Sequence, residues 1–334
     1  MNNKLMLPLL ILFSLVSFVL SMSFGAANTS FTEVFDVLVN PQVNQVTHTI
    51  LWELRMPRSI LAYVAGCGLA LSGLILQIVT RNPLADPYLF GISSGATFGA
   101  VLSLSFLSSL IWLPLPLAAF LGSLISMLML IGFARINRFQ RVETLLLAGV
   151  ALSFIFGAIT SLLLYWSDPQ AVASILFWTL GSFARADWAS IWIPAVAVSF
   201  SLGLLFFYRA QLMALLLGDE NAVTLGINVT KLRIVMLVVG SILTASVVAL
   251  CGGIGFVGLM IPHLVRQFVS VGSRMSFLVT ALTGGVFMLW VDVLARTLLN
   301  NQELPIGVIT SAVGGIFFLV TLYFRANRQG RLAQ

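Results

Sequence analysis

The chain has 334 residues, of which 59% are hydrophobic and only 8% charged, against roughly 25% charged in an ordinary soluble domain. So few charges cannot cover a soluble surface of this size, and the mean hydropathy of +1.05 indicates a polytopic helical membrane protein. The formal net charge of +6 therefore reports membrane orientation first, and no nucleic-acid partner is expected.

A bilayer-spanning helix needs roughly 20 apolar residues. Apolar runs predict ten spans in chain order, near residues 5–25, 57–79, 92–110, 112–134, 143–165, 188–208, 232–250, 256–270, 276–298 and 305–324. The first run follows Lys4 and ends in small residues, as a signal peptide does. It is long enough to span, however, and the topology needs it, so a retained helix is expected. The eighth run is short and carries Pro262, His263 and Arg266; membrane helices tolerate such breaks when neighbours satisfy the backbone.

Cationic residues set the orientation. With a cytoplasmic N-terminus, Arg81, Arg135, Arg138, Arg141, Arg209, Lys231 and Arg233 fall on the cytoplasmic side, with Arg266, Arg274 and the tail arginines Arg325, Arg328 and Arg331. The opposite side receives only Arg55, Arg58, Arg185 and Arg296. That asymmetry follows the positive-inside rule, with both termini cytoplasmic. No linker interrupts the chain, so residues 1–334 form a single transmembrane domain. A polar segment, "GDENAVTLGINVTKLR", separates the sixth and seventh spans on the cytoplasmic side.

Residues with chemistry are few. Cys67 and Cys251 lie in or beside apolar runs without metal-ligand spacing and are expected to be packing residues. There is no HExxH pair, no Gly-rich phosphate loop ending in Lys-Ser or Lys-Thr, and no paired intramembrane carboxylate. Neither His48 nor His263 suggests catalysis; His263, beside Pro262, is expected to pack or cap a helix end. Asp292 precedes Arg296 by four residues, which puts both on one helix face, as a structural ion pair, as side chains that snorkel toward the outer surface, or as a proton relay. Arg55 and Arg58, at the outer mouth of the second span, either anchor headgroups or receive carboxylates from an external partner. Small-residue clusters such as "AGCGLALSG" and "GGIGFVGL" are expected to let helices pack closely, while glycines at the break "DPYLFGISSG" offer a water-exposed backbone.

The block "RMPRSILAYVAGCGLALSGLILQIVTRNPLADPYLFGISSGA" resembles the FecCD-type permeases, the membrane subunits of ABC importers for ferric siderophores, haem and cobalamin. "LLLAGVAL", "FWTLGSF", "LGDENAVTLGINV", "GGIGFVGLMIPHLVR", "DVLARTLL" and "ELPIGVITSAVGGIFFL" fit the same family in the same order, so the resemblance runs from about Trp52 to Tyr323. Tyr88 and Phe90 stand where smaller or aliphatic residues are common, and Cys67 replaces a usual small residue.

The resemblance implies an all-α fold of about ten transmembrane helices, the type II ABC importer permease architecture. The implied assembly has a second permease subunit, the same or a related chain, two cytoplasmic ATPases and a periplasmic or surface-tethered substrate-binding protein, in a bacterial inner membrane. ATP and Mg would be used by the ATPase, with no cofactor bound by this chain. The segment at about 213–230 would dock the ATPase through Gly218, Asp219, Glu220, Ala222, Leu225 and Gly226. Arg55, Arg58 and Arg296 would dock the binding protein as one basic rim, and Asn82, Pro83, Gly91, Ser93, Ser94 and Gly95 would line the pathway. Ferric siderophore is the expected cargo, with haem and cobalamin as alternatives. An ion-coupled secondary transporter is the rival class; it would need a buried ionisable relay and no docking segment.

Overall fold

The computed structural model describes residues 3–25, 34, 45–107, 113–136, 142–299 and 302–332. Arg138, Arg141 and the joint between the third and fourth expected spans lie outside the described residues. Within them the regular structure is all helical, and each of the ten expected spans contains a helix. These are α1 (Asn3–Ser23), α2 (Met56–Thr80), α3 (Ile92–Leu102), α4 (Leu115–Ile136) and α5 (Val142–Tyr165) in the first half. Between the fifth and sixth spans lies a helix the apolar runs do not predict, α6 (Pro169–Thr179). Then follow α7 (Trp192–Phe207), α8 (Arg209–Leu216), α9 (Asp219–Thr224), α10 (Val229–Cys251), α11 (Val257–Val265), α12 (Arg274–Thr297) and α13 (Ile306–Leu332).

Among the described residues, seven helices are long and apolar enough to cross a membrane, and α7 with α8 makes an eighth candidate bent by 67°. The eighth expected span, 256–270, is cut short. Its helix α11 has nine residues, and the chain beyond Arg266 turns toward Gly272, whose φ is +79°.

Helix α2 is the axis of the fold. A π-helical stretch, Thr49–Arg55, leads without a break into it, and Pro57, which has no N–H to donate, follows directly at the junction. In its apolar window 83% of residues are buried, against 72% in α10 and 67% in α12, but only 28% in α1 and α5 and 17% in α13. Helices α2, α10 and α12 are therefore central, and α1, α5 and α13 are peripheral.

Small residues make the central contact possible. A Cβ on Gly66 of α2 would lie 2.1 Å from the Gly284 carbonyl oxygen of α12, so the two backbones touch where any side chain would separate them. Such contact replaces the hydrophobic drive that lipid removes. The Ser72 hydroxyl donates to the Gly240 carbonyl at 2.7 Å and ties α2 to α10. Cys67 and Cys251 are buried among apolar neighbours. His263 packs edge-on against Phe317 and Phe318, at centroid distances of 5.9 and 6.1 Å, and joins α11 to α13.

Candidate translocation cavity, coupling surface and arginine cluster

A cavity of about 730 Å³ opens between α3, α6, the α10–α11 connection and α13. Its wall is mostly apolar, with the hydroxyls of Ser93, Thr97, Thr179 and Ser311 and the carboxyl of Asp86. A large apolar concavity with a few polar groups is what a small-molecule path requires. Part of the wall is non-helical backbone at Asp86, Leu180 and Gly253 to Phe256, which a membrane protein tolerates where it lines a cavity.

That backbone is held by specific bonds. Asp86 accepts the Tyr88 N–H at 2.8 Å and caps the short 3₁₀ turn Pro87–Phe90. Burial pushes the Asp86 carboxyl up to about 6, partly offset by that N–H. The Tyr88 hydroxyl accepts the N–H of Ile254 from the opposite wall. Gly181 and Gly307 meet the α10–α11 connection at Gly253, whose carbonyl oxygen would lie 2.5 and 2.7 Å from Cβ atoms on those two residues. Phe256 follows with φ +68°, a left-handed conformation that costs a non-glycine residue roughly 1–2 kcal/mol.

The expected pathway residues are only partly in this wall. Ser93 lines the cavity. Gly91 and Gly95 instead face α4: the Gly91 carbonyl accepts the Ser126 hydroxyl at 2.8 Å, and a Cβ on Gly95 would lie 2.5 Å from the Gly122 oxygen. Their glycines serve helix contact rather than exposed backbone. Asn82 and Pro83 belong to the turn after α2, where Asn82 Oδ1 accepts the Leu84 N–H at 2.9 Å. Ser94 is half-buried and outside the lining. Ser93 is the residue common to the expected pathway set and this cavity, which Asp86, Tyr88, Thr97 and Phe256 also line.

The polar segment between α7 and α10 sits at one end of the bundle. Its residues divide into anchors and surface. Asp219 pairs with Arg81 at 3.1 Å and with Arg233 at 2.9 Å; it stands in the first turn of α9, where a carboxylate also suits the helix dipole. Ala222 is fully buried beneath the helix. Gly218 and Gly226 take φ +117° and +78° at the two ends of α9, conformations that glycine adopts without steric cost. Glu220 is exposed, and Leu217, Val223 and Leu225 are 68%, 61% and 64% exposed. Three apolar side chains thus stand bare on the most polar stretch of the chain.

At the other end lie the arginines expected to form an open rim, and here the structure differs. Arg55 is buried and donates to the Met22 and Ser23 carbonyls at 2.7 and 3.4 Å. Arg296, also buried, donates to the Ser21 carbonyl at 2.9 Å. The last carbonyls of a helix lack intrahelical partners and carry negative partial charge, and these two guanidiniums cap the C-terminus of α1. Arg58 pairs with Asp292 at 2.8 Å and with Glu303 at 2.7 Å, while Asp292 also lies 3.3 Å from Arg296. Asp292, fully buried, is a structural ion pair between two guanidiniums. No group of three His, Cys, Asp or Glu side chains able to hold a metal ion gathers among the described residues.

A family profile described as the FecCD transport family matches residues 11–324. The chain belongs to the FecCD transport family. Among relatives of this FecCD chain, it is 37% identical to the hemin transport system permease protein HmuU of Yersinia pestis over 99% of this chain and all of the relative. It is 37% identical to the cobalamin import system permease protein BtuC of Halobacterium salinarum over 86% of this chain and 76% of that protein. A solved structure described as an inward-facing metal-chelate type ABC transporter superposes with a TM-score of 0.85 at 32% identity, covering 96% of this chain and 99% of that one. This FecCD chain is thus a permease subunit of an ABC importer, a transport protein whose relatives leave ATP hydrolysis to a separate subunit.

Sequence reasoning missed two features of this FecCD permease. Helix α6 carries a start signal, Asp168 followed by Pro169 at the first helical position, but with eleven residues it is too short for a span-length search. The Tyr88 hydroxyl is signalled only by its size in "DPYLFG", and its partner Ile254 lies 166 residues away.

Proposed function

We propose that this permease carries an iron chelate, most simply a ferric siderophore, across a bacterial inner membrane, with both termini and α9 on the cytoplasmic side. The observation that carries the reading is the bare apolar surface of Leu217, Val223 and Leu225 on a segment anchored by Asp219. Apolar side chains fixed on an otherwise polar cytoplasmic segment need a soluble partner, and a cytoplasmic ATPase that uses ATP and Mg supplies one. Movement of the anchored segment would be passed through Arg81 to α2 and through Arg233 to α10, the two most buried spans. A second permease subunit would close the open cavity, and an external binding protein would deliver cargo.

Asp292 argues against an ion-coupled carrier. A proton relay needs a carboxylate free to exchange, whereas Asp292 is held between Arg58 and Arg296. Haem is the second cargo reading, favoured by the 37% identity to a hemin permease across the whole chain. The mostly apolar wall of the cavity suits a flat apolar macrocycle as well as a chelate. Reconstitution with the ATPase and binding protein in liposomes tests both: ATP-dependent uptake of a ferric siderophore, with haem and cobalamin as competitors, identifies the cargo. Uptake driven by an ion gradient without ATP would overturn the reading.

A further inference from the structure

We propose that the Phe256 ring sets the width of cargo that the cavity of about 730 Å³ admits, and that Gly314 of α13 is the notch in which the ring is seated; this rests on the importer reading above. Among the described residues only Arg81 and Phe256 combine a side chain with a positive φ. Arg81 ends α2, whereas Phe256 stands in the wall of the cavity. The chain there reads "GGIGFVG", with glycines at 252, 253, 255 and 258. A glycine at 256 would hold the same backbone without steric cost, so the ring is present against the preference of its own backbone. Strain of that kind persists where the surroundings over-determine it.

Here they do so on both sides. The Phe256 carbonyl accepts the N–H groups of Leu259 and Met260 at 3.2 and 2.8 Å and starts α11. Two residues earlier, Ile254 N donates to the Tyr88 hydroxyl across the wall. With the backbone fixed, the ring moves about its side-chain torsions. Its root lies on α13. A Cβ on the buried Gly314 would stand 2.5 Å from Cβ, Cγ and Cδ1 of Phe256, a separation that real Cβ atoms do not show. Any side chain at 314 therefore has to displace the ring. The room for it lies on the cavity side: a Cβ on Gly255, which lines the same cavity, would meet no atom within 4 Å.

Gly307, Ser311 and Gly314 follow one another at i, i+4 and i+7 and so share one face of α13; the first two line the cavity. The Phe256 ring thus joins the α10–α11 connection to the cavity face of α13. An apolar ring makes no directional bond with a cargo; what it imposes is width. A wide chelate passes while the ring stays in the Gly314 notch, and a ring driven from the notch narrows the path. Phe256 and Gly314 fix size, while the hydroxyls of Ser93, Thr97, Thr179 and Ser311 supply polar contacts.

The test uses the complete transporter in nanodiscs, with Ser311→Cys as a reporter on the cavity face; the two native cysteines are buried. Labelling rates with a narrow reagent, N-ethylmaleimide, and a wide one, fluorescein maleimide, are compared in the parent, Phe256→Gly, Gly314→Ala and the double variant. Phe256→Gly removes the ring and the backbone strain together, and an unchanged rate with the narrow reagent reports that the wall stays folded. Phe256→Gly is expected to raise the wide-to-narrow ratio, and Gly314→Ala to lower it, by at least about threefold each, with no effect of Gly314→Ala once the ring is gone, the coupling of two groups in contact. An unchanged ratio in Phe256→Gly overturns the proposal, as does a Gly314→Ala effect of equal size with and without the ring. In liposomes, ATP-dependent uptake of a ferric siderophore delivered by the binding protein should fall in Gly314→Ala and recover in the double variant; parental uptake in Gly314→Ala overturns the proposal too. If the parent transporter itself shows no ATP-dependent uptake, the importer reading fails, while the labelling ratios still decide whether Phe256 sets the width of the cavity.

Discussion

Arg233 reaches Asp219 across fourteen residues of sequence, its Nη2 lying 2.9 Å from Oδ1. The arginine is buried in α10, while the carboxylate is about a third exposed on α9. The short helix is thereby fastened to a central span by one charge-assisted bond, with Arg81 of the α2 terminus as a second hold.

Breaking that fastening should uncouple rather than unfold. Asp219→Ala leaves the buried Arg233 guanidinium without its carboxylate, a loss of about 1–3 kcal/mol. The variant should insert normally, with a modest fall in thermal stability and a large fall in ATP-driven uptake. Adding Arg233→Met should restore part of the stability but not the uptake, which a double-mutant cycle on melting temperature and transport would read.

The arginine cluster predicts the opposite pattern. Asp292→Ala strands Arg58 and Arg296 beside each other, and removing one partner from a buried ion pair costs roughly 3–5 kcal/mol. Low expression and a reduced melting temperature in detergent are expected. Arg58→Ala should cost less, since Asp292 keeps Arg296 at 3.3 Å. Equal stability of Asp292→Ala and the parent chain would show that the cluster is not structural.

Asp86, in the connection between α2 and α3, gives a pH dependence. Its carboxyl releases its proton near 6 in the folded chain rather than near 3.8, so the folded state binds more protons than the unfolded state between those values. The sign follows: this group's contribution is most favourable below about pH 4 and is lost as pH rises through about 6, a cost on the order of 2–3 kcal/mol at neutral pH. Asp86→Asn keeps a side-chain oxygen for the Tyr88 N–H and removes the charge. It should raise the melting temperature at pH 7.5 and leave it nearly unchanged at pH 4.

The positions of the spans were legible because lipid demands long apolar runs, and each expected run contains a helix. Which spans lie inside was not. Val46–Thr80 and Ile306–Phe324 share a mean hydropathy of 2.0, yet 83% of one window is buried and 17% of the other; in a bilayer, apolar character does not distinguish a neighbouring helix from lipid. The polar segment between α7 and α10 stood out because its polarity contrasts with its surroundings. The fate of Arg55 and Arg296 did not, since it depends on where the C-terminal carbonyls of α1 arrive in space. The contacts of Gly91 and Gly95 with α4 were not legible for a related reason: a glycine that meets a helix and one that borders a path look the same in sequence.

The most direct test of the account is ATP-driven uptake by a Leu225→Arg chain assembled with its ATPase and binding protein. Leu225 is 64% exposed, so the substitution leaves the packed core untouched and puts a charge on the surface assigned to the ATPase. The account predicts normal insertion and stability with uptake lost and ATPase subunits bound weakly or not at all. Wild-type uptake by a Leu225→Arg chain of confirmed expression would contradict it.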